Sequence, residues 1–350
     1  MSHRAADGGI CYNGDMKTMC FLMAVLGFGG ICAAELPLEK TADGVRFGDA
    51  RLAVAFDAKT GLPTAWTVDG AVLLKADPET SAPLEVQEAD GKWSGHRRAA
   101  YAGQGVARVG DNVVKSRVVN GPWTFDCYYE LRPGKCMARR WFEIEWTDEK
   151  PSKFRGFQVD SGRLACAADD AGYLVPVAFP RIDCPRRSFS NGRRNKAWRS
   201  PFPILGDNGS GWSVSWLLDE LVPYADGGSN EATQRADGFS VRTFFACKGH
   251  VRKGVPQKVG DVWTCFRPGT RETALENMSA WFREVGQVPP ADRPEWLKKL
   301  TLYSMHPGGT TGSLCRDWGG FVKVRTARGK WDEARGRETM RDDSRSRVLI

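Results

Sequence analysis

Between Trp123 and Trp146 the chain alternates with period two, and no other feature limits its fold as tightly. Trp123, Phe125, Cys127, Tyr129 and Leu131 fall on one face of an extended segment, while Thr124, Asp126, Tyr128 and Glu130 fall on the other. Pro133-Gly134 supplies a turn, after which Phe142, Ile144 and Trp146 alternate with Glu143 and Glu145. Successive side chains of a strand point to opposite faces, so the pattern predicts a hairpin with one buried and one wetted face. The signal recurs from about Val45 to Thr264. Leu52, Val54 and Phe56 alternate with Arg51, Ala53 and Ala55, and Thr60-Gly61 turns the chain toward Trp66 and Val68. Further strands are expected at Val113–Val119, Phe157–Val159, Trp212–Leu217 and Val241–Ala246. Many strands broken by turn residues, with no helical period among them, predict a mainly β chain built on a large antiparallel β-sandwich.

Helical spacing enters late, at Ala274, Leu275, Met278, Trp281, Phe282 and Val285, with Thr270 placed to cap the N-terminus. A helix over 271–286 would close the sandwich. Pro289-Pro290 then marks a linker, and Asp292 and Glu295 form a capping-box pair at the head of a short helix from Pro294 to Lys299. Leu300 to Met305 reads as a buried strand that empties into His306-Pro307-Gly308-Gly309, with Gly319-Gly320 following Arg316-Asp317-Trp318. A strand running into a Gly-rich loop is how a (β/α) barrel builds its rim, and a whole barrel takes roughly 200 residues or more. The expected organisation is a leader over 1–34, a sandwich domain over 35–290, and the first strand of an incomplete barrel over 291–320. The Arg-rich segment 321–350 carries few apolar residues and no lasting period, as a disordered tail or an out-of-frame translation would.

Within the leader, Met16-Lys17 precedes an apolar stretch from Cys20 to Ile31, and Cys32-Ala33-Ala34 follows. One positive charge, about a dozen apolar residues and small residues at a cleavage site describe a secretory signal peptide starting near 16; the alternative is a buried helix of the mature protein. The apolar run is short for a bilayer span, so a secreted or periplasmic protein without stable membrane insertion is expected. Cleavage after Ala34 leaves Cys127, Cys136, Cys166, Cys184, Cys247, Cys265 and Cys315. Seven cysteines with no Cys-x-x-Cys argue against a disulfide framework or a zinc site. Cys127 and Cys136 flank the hairpin and could face each other; small buried apolar residues is the better reading for most of the set. Lys plus Arg exceed Asp plus Glu by 8. Half of that surplus lies in the last thirty residues and the rest is spread thinly, which is no basic stripe for nucleic acid.

Together these segments resemble secreted bacterial glycoside hydrolases that place a galactose-mutarotase-like β-supersandwich before a catalytic (β/α) barrel. Leu52-Ala53-Val54-Ala55-Phe56-Asp57, Thr60-Gly61, Asp69-Gly70 and Leu73-Leu74 look like the opening of such a sandwich. Trp296 to Phe321, with Leu302-Tyr303 ahead of His306 and Asp317-Trp318-Gly319-Gly320-Phe321, is similar to the first strand and loop of α-amylase-like and α-galactosidase-like barrels. The resemblance implies a carbohydrate substrate and makes His306, Asp317 and Trp318 the candidate substrate-binding residues. In these families the catalytic acids come from later strands, so no catalytic carboxylate carries over and the chain is expected to be inactive as it stands. A non-catalytic carbohydrate-binding or cell-surface β-sandwich is the alternative.

Residue chemistry adds little to this. Asp169-Asp170 reads as a solvated turn, because neighbouring side chains on extended backbone point apart. Asp207-Asn208-Gly209 lacks the spaced ligands of a calcium loop and reads as a turn. Ser210 has Asn208 where a nucleophile elbow needs glycine. No phosphate loop or dinucleotide fingerprint occurs, and no cofactor or metal is expected. His306 either hydrogen-bonds a sugar hydroxyl or shapes its turn. Trp198, in the basic loop from Arg186-Arg187 to Arg199, could meet an acidic polysaccharide, although a solvated surface loop is the plainer reading. Trp123, Trp141 and Trp146, being on strands, are expected in the core.

Overall fold

The structure is a computed structural model that describes residues 35–77, 83–94, 97–149, 152–175, 182–189, 203–218, 228–246, 249–274, 281, 284, 303–304 and 322–323. Its strands, in chain order, are β1 (Leu38–Thr41), β2 (Gly44–Gly48), β3 (Leu52–Asp57), β4 (Pro63–Val68), β5 (Ala71–Lys75), β6 (Leu84–Glu88) and β7 (Ala102–Gly110). They continue with β8 (Val113–Asn120), β9 (Trp123–Arg132), β10 (Met137–Trp146), β11 (Ser152–Ala165), β12 (Gly172–Val175), β13 (Ile182–Pro185) and β14 (Ile204–Asp207). The last are β15 (Trp212–Leu218), β16 (Ser229–Arg235), β17 (Gly238–Phe245), β18 (Gly249–Val251), β19 (Gln257–Pro268), β20 (Tyr303–Ser304) and β21 (Val322–Lys323).

Two antiparallel sheets make the sandwich. One runs β1-β2-β3-β4-β5-β11-β17-β16, with β6 and β18 also on β11; the other runs β13-β12-β14-β15-β19-β10-β9-β8-β7. The expected hairpin is the centre of the second sheet, where β9 and β10 pair from Met137–Arg132 to Trp146–Trp123 around a 3₁₀ turn at Pro133–Lys135. The faces fall as the alternation requires. Phe125, Cys127, Tyr129 and Leu131 are buried inward, opposite Phe56 and Phe157 of the first sheet. Aromatic edges lock the two layers: Phe56 meets Tyr129 at 4.8 Å and 79°, and Trp216 meets Phe239 at 5.7 Å and 71°. Edge-to-face pairs of this kind add to what burial of the rings already supplies. Gly206 admits the second of these, since a Cβ there would lie 2.3 Å from the Phe239 ring.

One apolar cluster runs from Leu36 to Phe266 and spans both sheets. A polar chain crosses it. Arg140 Nη2 donates to Ser161 Oγ at 2.9 Å, Ser161 and Thr243 hydroxyls lie 2.8 Å apart, and Thr243 donates to Asn230 Oδ1 at 2.8 Å. Because Thr243 spends its proton on Asn230, Ser161 must donate to Thr243. Asn230 Nδ2 reaches the Trp216 carbonyl at 3.2 Å, and Trp216 Nε1 returns to the Ser161 carbonyl at 3.1 Å. Most of these buried polar groups are thereby satisfied, as a dry interior demands.

Backbone contacts divide the chain into two compact units, Met1–Ser279 and Ala280–Ile350. In the first, Ala274 is helical, its amide bonds the Thr270 carbonyl at 3.2 Å, and it packs with Leu174 and Leu205. In the second, Trp281 and Glu284 are helical and β20 pairs with β21 in parallel, Tyr303 opposite Val322. The remainder of the expected 271–286 helix and of the Leu300–Met305 strand lies outside the described residues, as do the leader and most of the tail.

Two expectations are corrected. Cys127 and Cys136 do not face each other: Cys127 points into the core, and Cys136 sits in the turn at φ +48°, its sulfur 3.3 Å from Arg51 Nε. Cys127, Cys136, Cys166, Cys184 and Cys265 are all free thiols, and Cys247 and Cys315 lie outside the described residues. Trp141 is not in the core. It occupies the outward phase of β10 with Glu143 and Glu145 and is half-buried there, whereas Trp123 is buried at 2% exposure.

Candidate functional site

A break in the first sheet creates the candidate site. Along one edge β11 pairs with β6 up to Val159–Leu84 and then with β5 from Arg163–Lys75. Between them the register against β17 shifts, and Asp160, Ser161 and Gly162 form an irregularity with Gly162 at φ +99°. Extra residues in one strand bend it and re-aim its side chains. The result is a concavity of about 410 Å³, its open mouth included. Trp66 of the first sheet, Leu62 just before β4, Tyr129 and Arg140 of the second sheet, and Arg98 from the 3₁₀ turn Arg98–Ala100 line it together with Asp160.

Arg140 is the unusual member. It lies on the inward phase of β10 between Ala138 and Phe142, and only 2% of it is exposed. Nη1 donates to the Asp160 carbonyl at 3.2 Å, Nη2 donates to Ser161 Oγ, and Nε is buried without a partner. Its guanidinium stands 5.9 Å from the Trp66 ring. Arg98 donates Nη2 to the Pro63 carbonyl. Burial depresses the basicity of both arginines, although a guanidinium stays charged at any ordinary pH. Asp160 accepts from the Gly162 amide at 3.0 Å; burial, helped by the neighbouring Asp77 carboxylate, holds it above the usual carboxylate range. Burial likewise raises the Tyr129 phenol, which lies against the Cys127 thiol. The site thus brings together two guanidinium forks, one acceptor carboxyl and two aromatic side chains around a shallow opening.

A second cluster covers the outer face of the second sheet. Tyr128 and Trp141, directly paired across β9 and β10, stack at 5.0 Å and 4°. Arg139 stands 5.3 Å from the Trp141 ring and 5.7 Å from Trp263, and Arg132 lies 4.8 Å over Trp263. Glu130 and Asp261 hold the two arginines at 2.6 and 2.9 Å. Burial, with a 3.0 Å bond to Glu143, pushes the Tyr128 phenol up to about 12. Here the ring faces meet one another and the arginines, leaving edges rather than flat faces for a pyranose. The column is a cross-strand ladder that stiffens the sheet.

The sequence-expected residues His306, Asp317 and Trp318 lie outside the described residues, as does Trp198. Asp169 and Asp170 sit in an exposed bend, the solvated turn expected of them. Asp207-Asn208-Gly209 turns the chain as expected, the Gly209 amide donating to Asp207 Oδ1 at 3.2 Å, but the carboxylate has a second partner as well. It is 4% exposed, and Arg271 Nη1 holds it at 2.7 Å. Among the described residues no group of three or more His, Cys, Asp and Glu side chains is placed to hold a metal, and no helix is long and apolar enough to cross a membrane. Arg98, Arg140 and Asp160 escaped sequence reasoning. The available signal was Arg139-Arg140 inside an alternating strand, where one of two adjacent arginines has to point inward.

No family model and no curated protein matches the chain. Solved structures with a similar backbone include a galactose mutarotase-related enzyme from Lactobacillus acidophilus, at 8% identity and TM-score 0.44, covering 64% of this chain and 97% of that one. Another is a putative aldose 1-epimerase from Escherichia coli K12, at 7% identity and TM-score 0.41, covering 67% of this chain and 100% of that one. A third is a GH36 α-galactosidase from Geobacillus stearothermophilus, at 9% identity and TM-score 0.47, covering 77% of this chain and 46% of that one. The match therefore spans less than half of the α-galactosidase.

Proposed function

We propose that the chain is the N-terminal portion of a secreted glycoside hydrolase, with a sandwich that recognises carbohydrate at the Trp66–Asp160 concavity. The observation that carries the reading is the composition of that concavity. Aromatic walls from Trp66 and Tyr129, a carboxyl acceptor from Asp160 and guanidinium donors from Arg98 and Arg140 are the groups that hold a sugar ring, apolar faces against its C–H surface and polar tips on its hydroxyls. The hydrolase half rests on the sequence resemblance.

Hydrolysis requires two carboxyl groups about 5 to 10 Å apart across the scissile bond. Among the described residues lining the concavity Asp160 is the single carboxyl, and its neighbour Asp77 is tied to Arg235 and Ser240. The sandwich therefore binds and leaves bond cleavage to barrel residues. Calorimetry with mono- and disaccharides on the full chain tests the binding. Saturable binding that weakens in Trp66→Ala supports the reading, and turnover of an oligosaccharide that is lost on substituting Asp160 would place catalysis in the sandwich instead. The non-catalytic alternative is separated by the codons after Gly320, read in all three frames for further barrel strands ending in Asp and Glu.

A further inference from the structure

We infer that Asn208 is a site of spontaneous covalent modification. In the folded protein its side chain cyclises onto the Gly209 amide, releases ammonia, and leaves an aspartyl or isoaspartyl residue at the tip of the β14–β15 hairpin. The reaction needs no partner and is independent of any sugar that the sandwich binds.

Four asparagines precede a glycine, at positions 13, 120, 191 and 208, and those at 13 and 191 lie outside the described residues. Glycine carries no side chain to shield the nitrogen that attacks. The two described pairs differ in setting. Asn120 is 5% exposed and stands opposite Trp123 across the β8–β9 hairpin. Asn208 is half-buried, with Gly209 and Ser210 exposed beside it. The fold also fixes the glycine there: Gly209 has φ +69°, and a Cβ would lie 2.9 Å from the Cβ atoms of Ala168 and Ala171.

The turn places a hydrogen-bonding group at each atom whose charge changes. Asn208 Oδ1 accepts from the Ser210 amide at 2.8 Å and from the Trp212 amide at 3.1 Å. Ring closure makes Cγ tetrahedral and puts negative charge on that oxygen, where two fixed N–H donors stabilise it as an oxyanion hole does. The Gly209 amide donates to Asp207 Oδ1 at 3.2 Å, so a carboxylate stands on the proton that has to leave. Arg271 Nη1 holds the other oxygen of that carboxylate at 2.7 Å. The bond from Gly209 nitrogen to Cγ forms, the Cγ–Nδ2 bond breaks, and the amide proton passes by way of Asp207 to the departing nitrogen. Water then opens the ring at one carbonyl or the other. An aspartyl product keeps an acceptor for the Ser210 and Trp212 amides. An isoaspartyl product adds a methylene to the main chain one residue from Asp207 and loosens the hairpin.

The test is incubation of the full chain at mildly alkaline pH, followed over time by mass-spectrometric peptide mapping and isoaspartyl methyltransferase labelling. The Asn208 peptide should gain the mass difference between amide and acid about tenfold faster than the Asn120 peptide, or more, with part of the product taking the isoaspartyl label. Asn208→Gln, which would have to close a larger ring, should stop the change at this position. Asn208→Asp should melt close to the parent, and aged protein enriched in the isoaspartyl form should melt lower. Conversion no faster at Asn208 than at Asn120 would overturn the inference. Conversion in urea but not in the folded chain would overturn it too, by showing that the turn protects its asparagine. A product that is wholly aspartyl would sink the ring closure in favour of direct hydrolysis.

Discussion

Arg271 Nη1 lies 2.7 Å from Asp207 Oδ2, with the arginine side chain 9% and the aspartate 6% exposed. The same guanidinium donates Nε to Asp183 at 2.8 Å and Nη1 to the Asp170 carbonyl at 2.6 Å, and the Arg271 amide also reaches Asp207. A single side chain, three positions beyond the end of β19, thus ties β13, β14 and the bend before β12. Although burial works against it, the hydrogen bonds to Asp183 and Asp207 raise the basicity of Arg271 further. Removing it strands Asp207 as a buried, uncompensated charge. Arg271→Ala should therefore destabilise the sandwich by about 3 to 5 kcal/mol, while replacing both partners with apolar residues should cost far less. Urea unfolding of the single and double variants checks this.

Asp160 gives a pH signature of definite sign. Burial, together with the Asp77 carboxylate, raises it in the folded state, while Arg98 and Arg140 on the facing elements oppose the shift without reversing it. A carboxyl raised on folding binds more protons folded than unfolded. Its stabilising contribution is full below the unfolded pKa and is lost as pH rises through the folded one. Asp160→Asn keeps the acceptor for the Gly162 amide and removes the titration. Melting curves should show the variant gaining on the parent at pH 7 and the gain shrinking toward pH 4.

Thiol chemistry should sort by burial. Burial pushes Cys166 and Cys265 up to about 12 and Cys127 higher still. Raising a thiol pKa shrinks the reactive thiolate fraction, here by orders of magnitude at pH 8 relative to a free cysteine. Iodoacetamide treatment of folded protein followed by peptide mapping should leave all three unmodified, and the same treatment in urea should label them.

The alternation in β9 and β10 was enough to read which face of each strand is buried, because a side-chain period of two leaves only two assignments and the apolar set chooses between them. It could not reveal that β11 would exchange β6 for β5 halfway along. That exchange depends on pairings between residues some eighty positions apart, such as Leu84 with Val159, and it is what opens the concavity. Arg140 was hidden for a related reason: a charge on the inward phase of a strand looks like an error in the pattern until the partner sheet is in place. Trp141 was misplaced because an aromatic residue was assumed to be core when its phase, shared with Glu143, pointed outward. Asp207 reads locally as a turn residue, and only its partner 64 positions later makes it a buried ion.

Where the sandwich ends can be tested by cutting the chain at two places. Its core cluster is complete by Phe266, but Arg271 still ties three segments together and Ala274 packs on Leu174 and Leu205. A chain stopped after Pro290 keeps both contacts and should unfold within about 1 kcal/mol of the full chain, the scatter expected when no core interaction is lost. A chain stopped after Pro268 loses the Arg271 tie and should fall by about the 3 to 5 kcal/mol assigned to leaving Asp207 unpaired. Limited proteolysis of the full chain should cut first at the arginines after Phe321 and then near Pro289-Pro290, leaving a resistant fragment that contains Arg271. If the Pro290 chain instead proves as unstable as the Pro268 chain, residues beyond 290 belong to the fold of the sandwich, and the boundary placed there is wrong.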